Sequence, residues 1–195
     1  MKYYKLISLL FIATLGSLFA SCEETAVVDE YANWQSRNTE YINSIAQQAS
    51  INADGKWMKI LSFKLNEKDA NGNDYSYGND CYIYCYKEQE GEGEAHPLST
   101  VSVNYRGRLI PTDSHPEGLV FDESYKGVLN PSTNRPAEFD VNGLIVGWQT
   151  ALMNMKKGAI WRVYIPANLG YGSREQGDIP AHSALIFEIN LVDFE

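Results

Sequence analysis

The chain is poor in the residues on which metal and redox chemistry depend, with three histidines and three cysteines in 195 residues. His96, His115 and His182 are dispersed and keep no ligand spacing with the cysteines, so a metal centre has no support. No metal or cofactor is expected. Positive charge is scarce as well: 16 Lys and Arg stand against 25 Asp and Glu, a net charge of −9. Without a basic patch to release phosphate counterions, nucleic acid is excluded as the expected partner. After Ala20 no apolar run approaches the roughly 20 residues of a membrane-spanning helix. A Ser-His-Asp set, a paired acid and base and a phosphate loop are also missing, which argues against hydrolysis and phosphoryl transfer.

What is present begins with a secretory pattern. Lys2 and Lys5 precede an uncharged apolar run from Leu6 to Ala20, too short to span a bilayer comfortably. Small residues then lead into a cysteine, Leu18-Phe19-Ala20-Ser21-Cys22, followed by Glu23 and Glu24. This resembles a bacterial lipobox, with Phe19 where such boxes prefer Leu. The resemblance implies cleavage before Cys22, lipid on its thiol and on the new amine, and a chain anchored in the cell envelope, facing the periplasm or the outer-membrane surface. The remaining cysteines, Cys81 and Cys85, lie four apart in a strand-like run. Strand spacing separates them by about 13 Å, beyond the roughly 7 Å a disulfide tolerates. They read as small buried hydrophobes.

The mature chain has room for one good core and an appendage. From Asp29 to Ala49, Tyr31, Trp34, Tyr41, Ile45 and Ala49 recur at helical intervals among polar residues, which predicts an amphipathic helix. Its stripe requires a partner surface, either the main domain or a second copy of the chain. A turn at Ala53-Asp54-Gly55 and a strand over Lys56 to Leu65 follow, then a loop or hairpin rich in Asn, Asp and Gly over Asn66 to Asp80. The domain boundary is placed there: residues 1–21 as signal, 22–75 as an N-terminal extension, 76–195 as the main domain.

Beyond Leu98 the pattern is clean. Val101, Val103, Tyr105, Gly107 and Leu109 alternate with Thr100, Ser102, Asn104, Arg106 and Arg108, the signature of a strand with one buried face. Tyr82–Tyr86, Leu119–Asp122, Glu138–Val141, Ile160–Ile165 and Leu185–Leu191 read as further strands. Pro131 and Pro136 keep the stretch from Glu123 to Ala137 irregular. Gly147 to Met155 reads as a short helix, with Trp148, Leu152 and Met155 on one face and Lys156, Lys157 and Gly158 at its end. The expected fold class is α+β, an antiparallel twisted sheet around one short helix, with an N-terminal helical extension.

The chemistry-bearing residues are aromatics beside loops, Tyr105, Phe121, Trp148, Tyr171 and Phe187, with one acid, Asp122. Gathered at one pocket they would make an apolar site with few polar groups. Their settings resemble the ordered motifs of FKBP-type peptidyl-prolyl isomerases: Val101-Ser-Val-Asn-Tyr-Arg-Gly-Arg-Leu109, Phe121-Asp122, Leu144-Ile-Val-Gly-Trp148, Leu152 with Met155 and Gly158, Ile165-Pro166, Leu169-Gly-Tyr-Gly172 and Ile179-Pro-Ala-His-Ser-Ala-Leu-Ile-Phe187. The similarity covers roughly Tyr82 to Glu195 in the family's order.

That resemblance implies a site for rotating the peptide bond before proline in polypeptide substrates, with macrolides of the tacrolimus or rapamycin type as inhibitors. Trp148 would form the floor under the proline ring, with Tyr105, Phe121 and Phe187 as walls. Leu144 and Ile145 would stand at the edge, the Ile145 N–H receiving a substrate carbonyl. Tyr171 would offer its hydroxyl to another carbonyl, Asp122 would hold Tyr105, and Ile179 would lie at the rim. The chain departs from the family in three places. The 123–137 loop is about six residues longer than in short members. Ala137 stands where an aromatic often lines the pocket. The stretch from Ser173 to Asp178 is about one residue shorter, leaving no counterpart for a histidine common there. These departures keep open a lipid-anchored binding or chaperone module with the same fold and little isomerase activity, and the helix stripe keeps open a homodimer.

Overall fold

A computed structural model describes residues 29–95 and 99–195. Cys22 and the segment read as a signal lie outside the described residues. The period-two alternation after Leu98 becomes the central strand of one antiparallel sheet. Its strands are β1 (Trp57–Leu61), β2 (Tyr82–Gln89), β3 (Thr100–Arg108), β4 (Val120–Glu123), β5 (Ala137–Asp140), β6 (Ile160–Ile165) and β7 (Leu185–Phe194). Their order is β1-β2-β6-β7-β3-β4, with β5 also paired to β3. One edge of β3 is shared: Thr100–Val103 pairs with β5, and Arg106–Arg108 pairs with β4. The chain therefore leaves the sheet after Glu123 and rejoins the same edge at Ala137.

Helix α2 (Val146–Leu152) lies on one face of this sheet and buries Gly147, Trp148, Thr150, Ala151 and Leu152. A Cβ on Gly147 would fall inside the Ile165 side chain, so glycine is what lets the helix close on β6. The helix is shorter than the expected 147–155. Asn154 and Met155 donate to Ala151 and Leu152, three residues back, which tightens the last turn away from α geometry.

Helix α1 (Trp34–Ile51) buries Trp34, Asn38, Ile42 and Ile45. Residues 29–33 do not join it: the Asp29 carboxylate accepts from the Tyr31 N–H, and Asn33 is left-handed at φ 54°, local alternatives that compete with a helix. At the other end Asn52, also left-handed, returns its N–H to Gln48, a common way to stop a helix. The helix covers the sheet face opposite α2. Tyr41 of α1 packs on the Tyr164 ring at 6.4 Å, whereas the next residue of β6, Ile165, points to Gly147. In β2, Ile83, Tyr84 and Cys85 are all fully buried, as a strand covered on both faces must be. Burial pushes the Cys85 thiol up, in keeping with an inert core residue, while Cys81 is only half-buried.

The boundary at residue 75 is no break in packing, since β1 pairs with β2 residue for residue from Trp57↔Tyr86 to Leu61↔Tyr82 and α1 shares the core cluster. The helix stripe finds its partner within the same chain, so the surface that kept a homodimer open is already covered. Strand β1 also stops at Leu61 rather than Leu65, because the Ser62 N–H bonds to Cys81 and the Leu65 N–H folds back to Ser62. Among the described residues no helix is long and apolar enough to cross a membrane, and no cluster of three His, Cys, Asp or Glu could hold a metal ion.

Candidate active site

The fold brings eight of the nine sequence-selected pocket residues to one cavity. Tyr105, Phe121, Asp122, Leu144, Ile145, Trp148, Tyr171 and Phe187, with Phe139 and Gly143, line a volume of about 220 Å³. Ile179 is not in that lining. It is buried and engaged in a reciprocal backbone pair with Gln176, which closes the 176–179 turn and draws it into the core.

Trp148 is held by α2 with its ring edge-on to three neighbours: Tyr105 at 5.4 Å and 83°, Phe187 at 5.1 Å and 86°, and Phe139 at 6.0 Å and 75°. Phe121 meets Phe187 at 5.5 Å and 86°. Perpendicular rings set positive edges against negative faces, worth about 0.5–1.5 kcal/mol per pair beyond burial. They also leave the middle of the box apolar. Gly107 makes the box possible. It pairs with Asp122 on one side and Phe187 on the other, and a Cβ there would sit 2.6 Å from both the Phe121 and Phe187 rings.

Phe139 was not among the pocket residues selected from sequence. Ala137 pairs with Val103, and Phe139 with Val101, so both point to the same face one pleat apart. The aromatic wall missing at Ala137 is supplied two residues on, and the Phe139 ring packs on Tyr105 at 5.6 Å. The i, i+2 relation between Ala137 and Phe139 was the available signal.

Polar groups are few and directed. The Tyr105 hydroxyl donates to Asp122 Oδ2 at 2.8 Å. Burial, then that hydrogen bond, then the carboxylate charge raise the Tyr105 pKa well above its ordinary value, so the phenol stays protonated and fixed as a donor. Tyr171 is raised as well, by burial and by the charge of Asp122. Ile145 caps α2 in an extended conformation (φ −61°, ψ 152°). Gln149 occupies both the Ile145 carbonyl, through its N–H at 3.1 Å, and the Leu144 carbonyl, through its amide at 2.7 Å. The Ile145 N–H takes no backbone acceptor among the described residues, as expected at a helix start. The arrangement can hold a compact apolar ring in a dry box and offer donors at its edge.

A curled antiparallel sheet, a short helix beneath it and a perpendicular aromatic box define an FKBP-like fold. The family model described as FKBP-type peptidyl-prolyl cis-trans isomerase matches residues 91–192. The chain belongs to this family. It is 44% identical to the peptidyl-prolyl cis-trans isomerase Mip of Coxiella burnetii over 106 residues, 53% of this chain and 41% of that protein. To the isomerase FkpA of Escherichia coli K12 it is 39% identical over 147 residues, 75% of this chain and 50% of that one. The chain thus spans half or less of the length of these relatives. Among solved structures, FkpA from Escherichia coli aligns with a TM-score of 0.56 at 28% identity, covering 83% of this chain and 59% of that one. A peptidyl-prolyl cis-trans isomerase from Pseudomonas syringae aligns with a TM-score of 0.53 at 27% identity, covering 82% and 94%.

Proposed function

We propose that this protein is a peptidyl-prolyl cis-trans isomerase that assists the folding of exported proteins at the cell envelope. The observation that carries the reading is the perpendicular aromatic box with Tyr105 tied to Asp122 at its side. Rotation about the bond before proline passes through a twisted amide that has lost resonance, against a barrier of about 18–20 kcal/mol. No covalent bond is broken, so no nucleophile is needed. Water favours the planar, charge-separated amide, and a box that excludes water favours the twisted one.

The prolyl ring sits on Trp148 between Tyr105, Phe121, Phe139 and Phe187. The Ile145 N–H and the Tyr171 hydroxyl hold flanking carbonyls in the twisted geometry. Asp122 keeps the Tyr105 wall in place. Uncatalysed isomerisation takes about 10–100 s, long enough to limit folding outside the cytoplasm. Macrolides of the tacrolimus or rapamycin type compete for the same box. Lipid on Cys22 anchors the chain, a reading supported by the residues around that cysteine; an unmodified mature N-terminus in a mass spectrum would end it.

The test is cis to trans conversion of an Ala-Xaa-Pro-Phe peptide. Micromolar wild type accelerates it, and Tyr171→Phe and Trp148→Ala lose most of that gain, with circular dichroism confirming that the variants are folded. Absence of acceleration by folded wild type would overturn the proposal.

A further inference from the structure

The two edges of the site differ in how they are held. Beneath the box, β7 is paired on both edges, with β6 and with β3, and α2 buries five of its residues on the sheet, whereas Asp122 stands on β4, a strand of four residues from which the 123–137 loop departs. Neighbouring strand residues point to opposite faces. Tyr105 and Asp122 face the cavity, so Arg106 and Glu123, which are Cα partners, meet on the other side of the sheet. There Arg106 Nε donates to Glu123 Oε2 at 2.7 Å, with only 14% and 12% of the two side chains exposed.

The same guanidinium continues along the loop. Its Nη2 donates to the Gly127 carbonyl at 2.8 Å, and the group lies 4.5 Å from the centre of the Tyr125 ring. Tyr125 is 5% exposed and gives its hydroxyl to Glu188 of β7. Between these points Ser124 exchanges hydrogen bonds of 2.9 Å with the backbone of Tyr105 itself, N–H to carbonyl and N–H to hydroxyl oxygen. One side chain outside the cavity therefore connects β3, the end of β4 and the first turn of the long loop.

We propose that Arg106 is a positioning residue for the site: by clamping Glu123 and Gly127 on the outer face of the sheet, it fixes Asp122 on the inner face as the acceptor of the Tyr105 hydroxyl. The planar fork explains the choice of residue. A guanidinium can meet a carboxylate with one N–H and a carbonyl with another, which the single charge centre of lysine cannot do in the same geometry. The kinetic half of this inference rests on the isomerase reading; the geometric half does not.

The experiment combines Arg106→Ala, Arg106→Lys and Asp122→Asn, singly and as Arg106→Ala with Asp122→Asn. Each is read by peptide isomerisation and by fluorine NMR of protein carrying 3-fluorotyrosine in place of Tyr105. Arg106→Ala is expected to lower kcat/KM by about tenfold, the loss of one charged hydrogen bond, and to move the fluorine resonance toward that of Asp122→Asn. Arg106→Lys recovers part of both. In the Asp122→Asn background Arg106→Ala costs nothing more, because the residue acts through Asp122. Losses that multiply, or a resonance that Arg106→Ala leaves unmoved in folded protein, would overturn the assignment. An inactive wild type would instead strike the isomerase reading, and the fluorine signal would still decide the geometry.

Discussion

Replacing Gly107 with alanine tests the construction of the box most directly. The new methyl would stand 2.6 Å from ring carbons of both Phe121 and Phe187, against a comfortable carbon separation of about 3.5–4.0 Å. Roughly 1 Å of overlap must be relieved. The backbone cannot retreat, because Gly107 is hydrogen-bonded between β4 and β7. Phe187 is 5% exposed against Trp148, so the half-buried Phe121 is the ring that moves. Overpacking of this kind costs about 1–3 kcal/mol. Gly107 lies outside the left-handed region, so alanine brings no backbone strain and recovers about 0.4–1 kcal/mol through the less free unfolded chain. The net is a destabilisation of about 1–2 kcal/mol, a fall in Tm of roughly 3–6 °C for a chain of this size. On the isomerase reading the displaced ring is a wall of the substrate site, so KM rises more than kcat falls. Thermal unfolding and peptide isomerisation measure the two effects. An alanine variant with unchanged Tm and unchanged KM would refute the close approach on which the box depends.

Two further outcomes follow from contacts away from the box. Asn38 of α1 accepts the Ala184 N–H at 2.8 Å and donates to the Trp34 carbonyl at 2.7 Å while only 3% exposed, so Asn38→Ala leaves a buried donor unpaired and costs about 1–3 kcal/mol in urea unfolding; no loss would mean that α1 is not docked as described. Hydrogen bonds from Lys126 and Arg106, with their charges, hold the Glu123 carboxyl below its ordinary value of 4.5. A carboxyl lowered in the folded state stabilises above the unfolded pKa, and that contribution is lost as pH falls through the folded one. Stability measured from pH 7 down to pH 3 should therefore decline less below pH 4.5 in Glu123→Gln than in wild type, and equal declines would contradict the pairing.

Local order was legible because its signals are local. The alternation from Val101 to Leu109 reports one buried face, and Gly, Pro, Asn and Asp mark where strands end. The ordered FKBP-like motifs pointed to Trp148, Tyr105, Phe121 and Phe187 as one site. Less local features escaped. The ends of β1 and α2 moved because hydrogen bonds to Cys81, Ala151 and Leu152 drew the backbone out of regular geometry. Ile179 packs into the core cluster at a turn whose backbone closes on Gln176, a placement its residue type does not announce. Phe139 entered the wall because β5 rejoins β3 in a register that the intervening loop decides.

By itself the sequence determined that a sheet with one buried face, a helix with an apolar stripe and a set of aromatics near loops must exist. Periodicity states that a face will be buried, and it is silent on what will bury it. Only the tertiary structure decided that α1 covers its own sheet rather than a second copy, that β1 belongs to the same sheet, and that Arg106 meets Glu123 and Gly127 on the face of the sheet away from the box. Each of those facts depends on residues far apart in the chain meeting across strands, where cross-strand register, rather than sequence neighbourhood, sets which side chains touch.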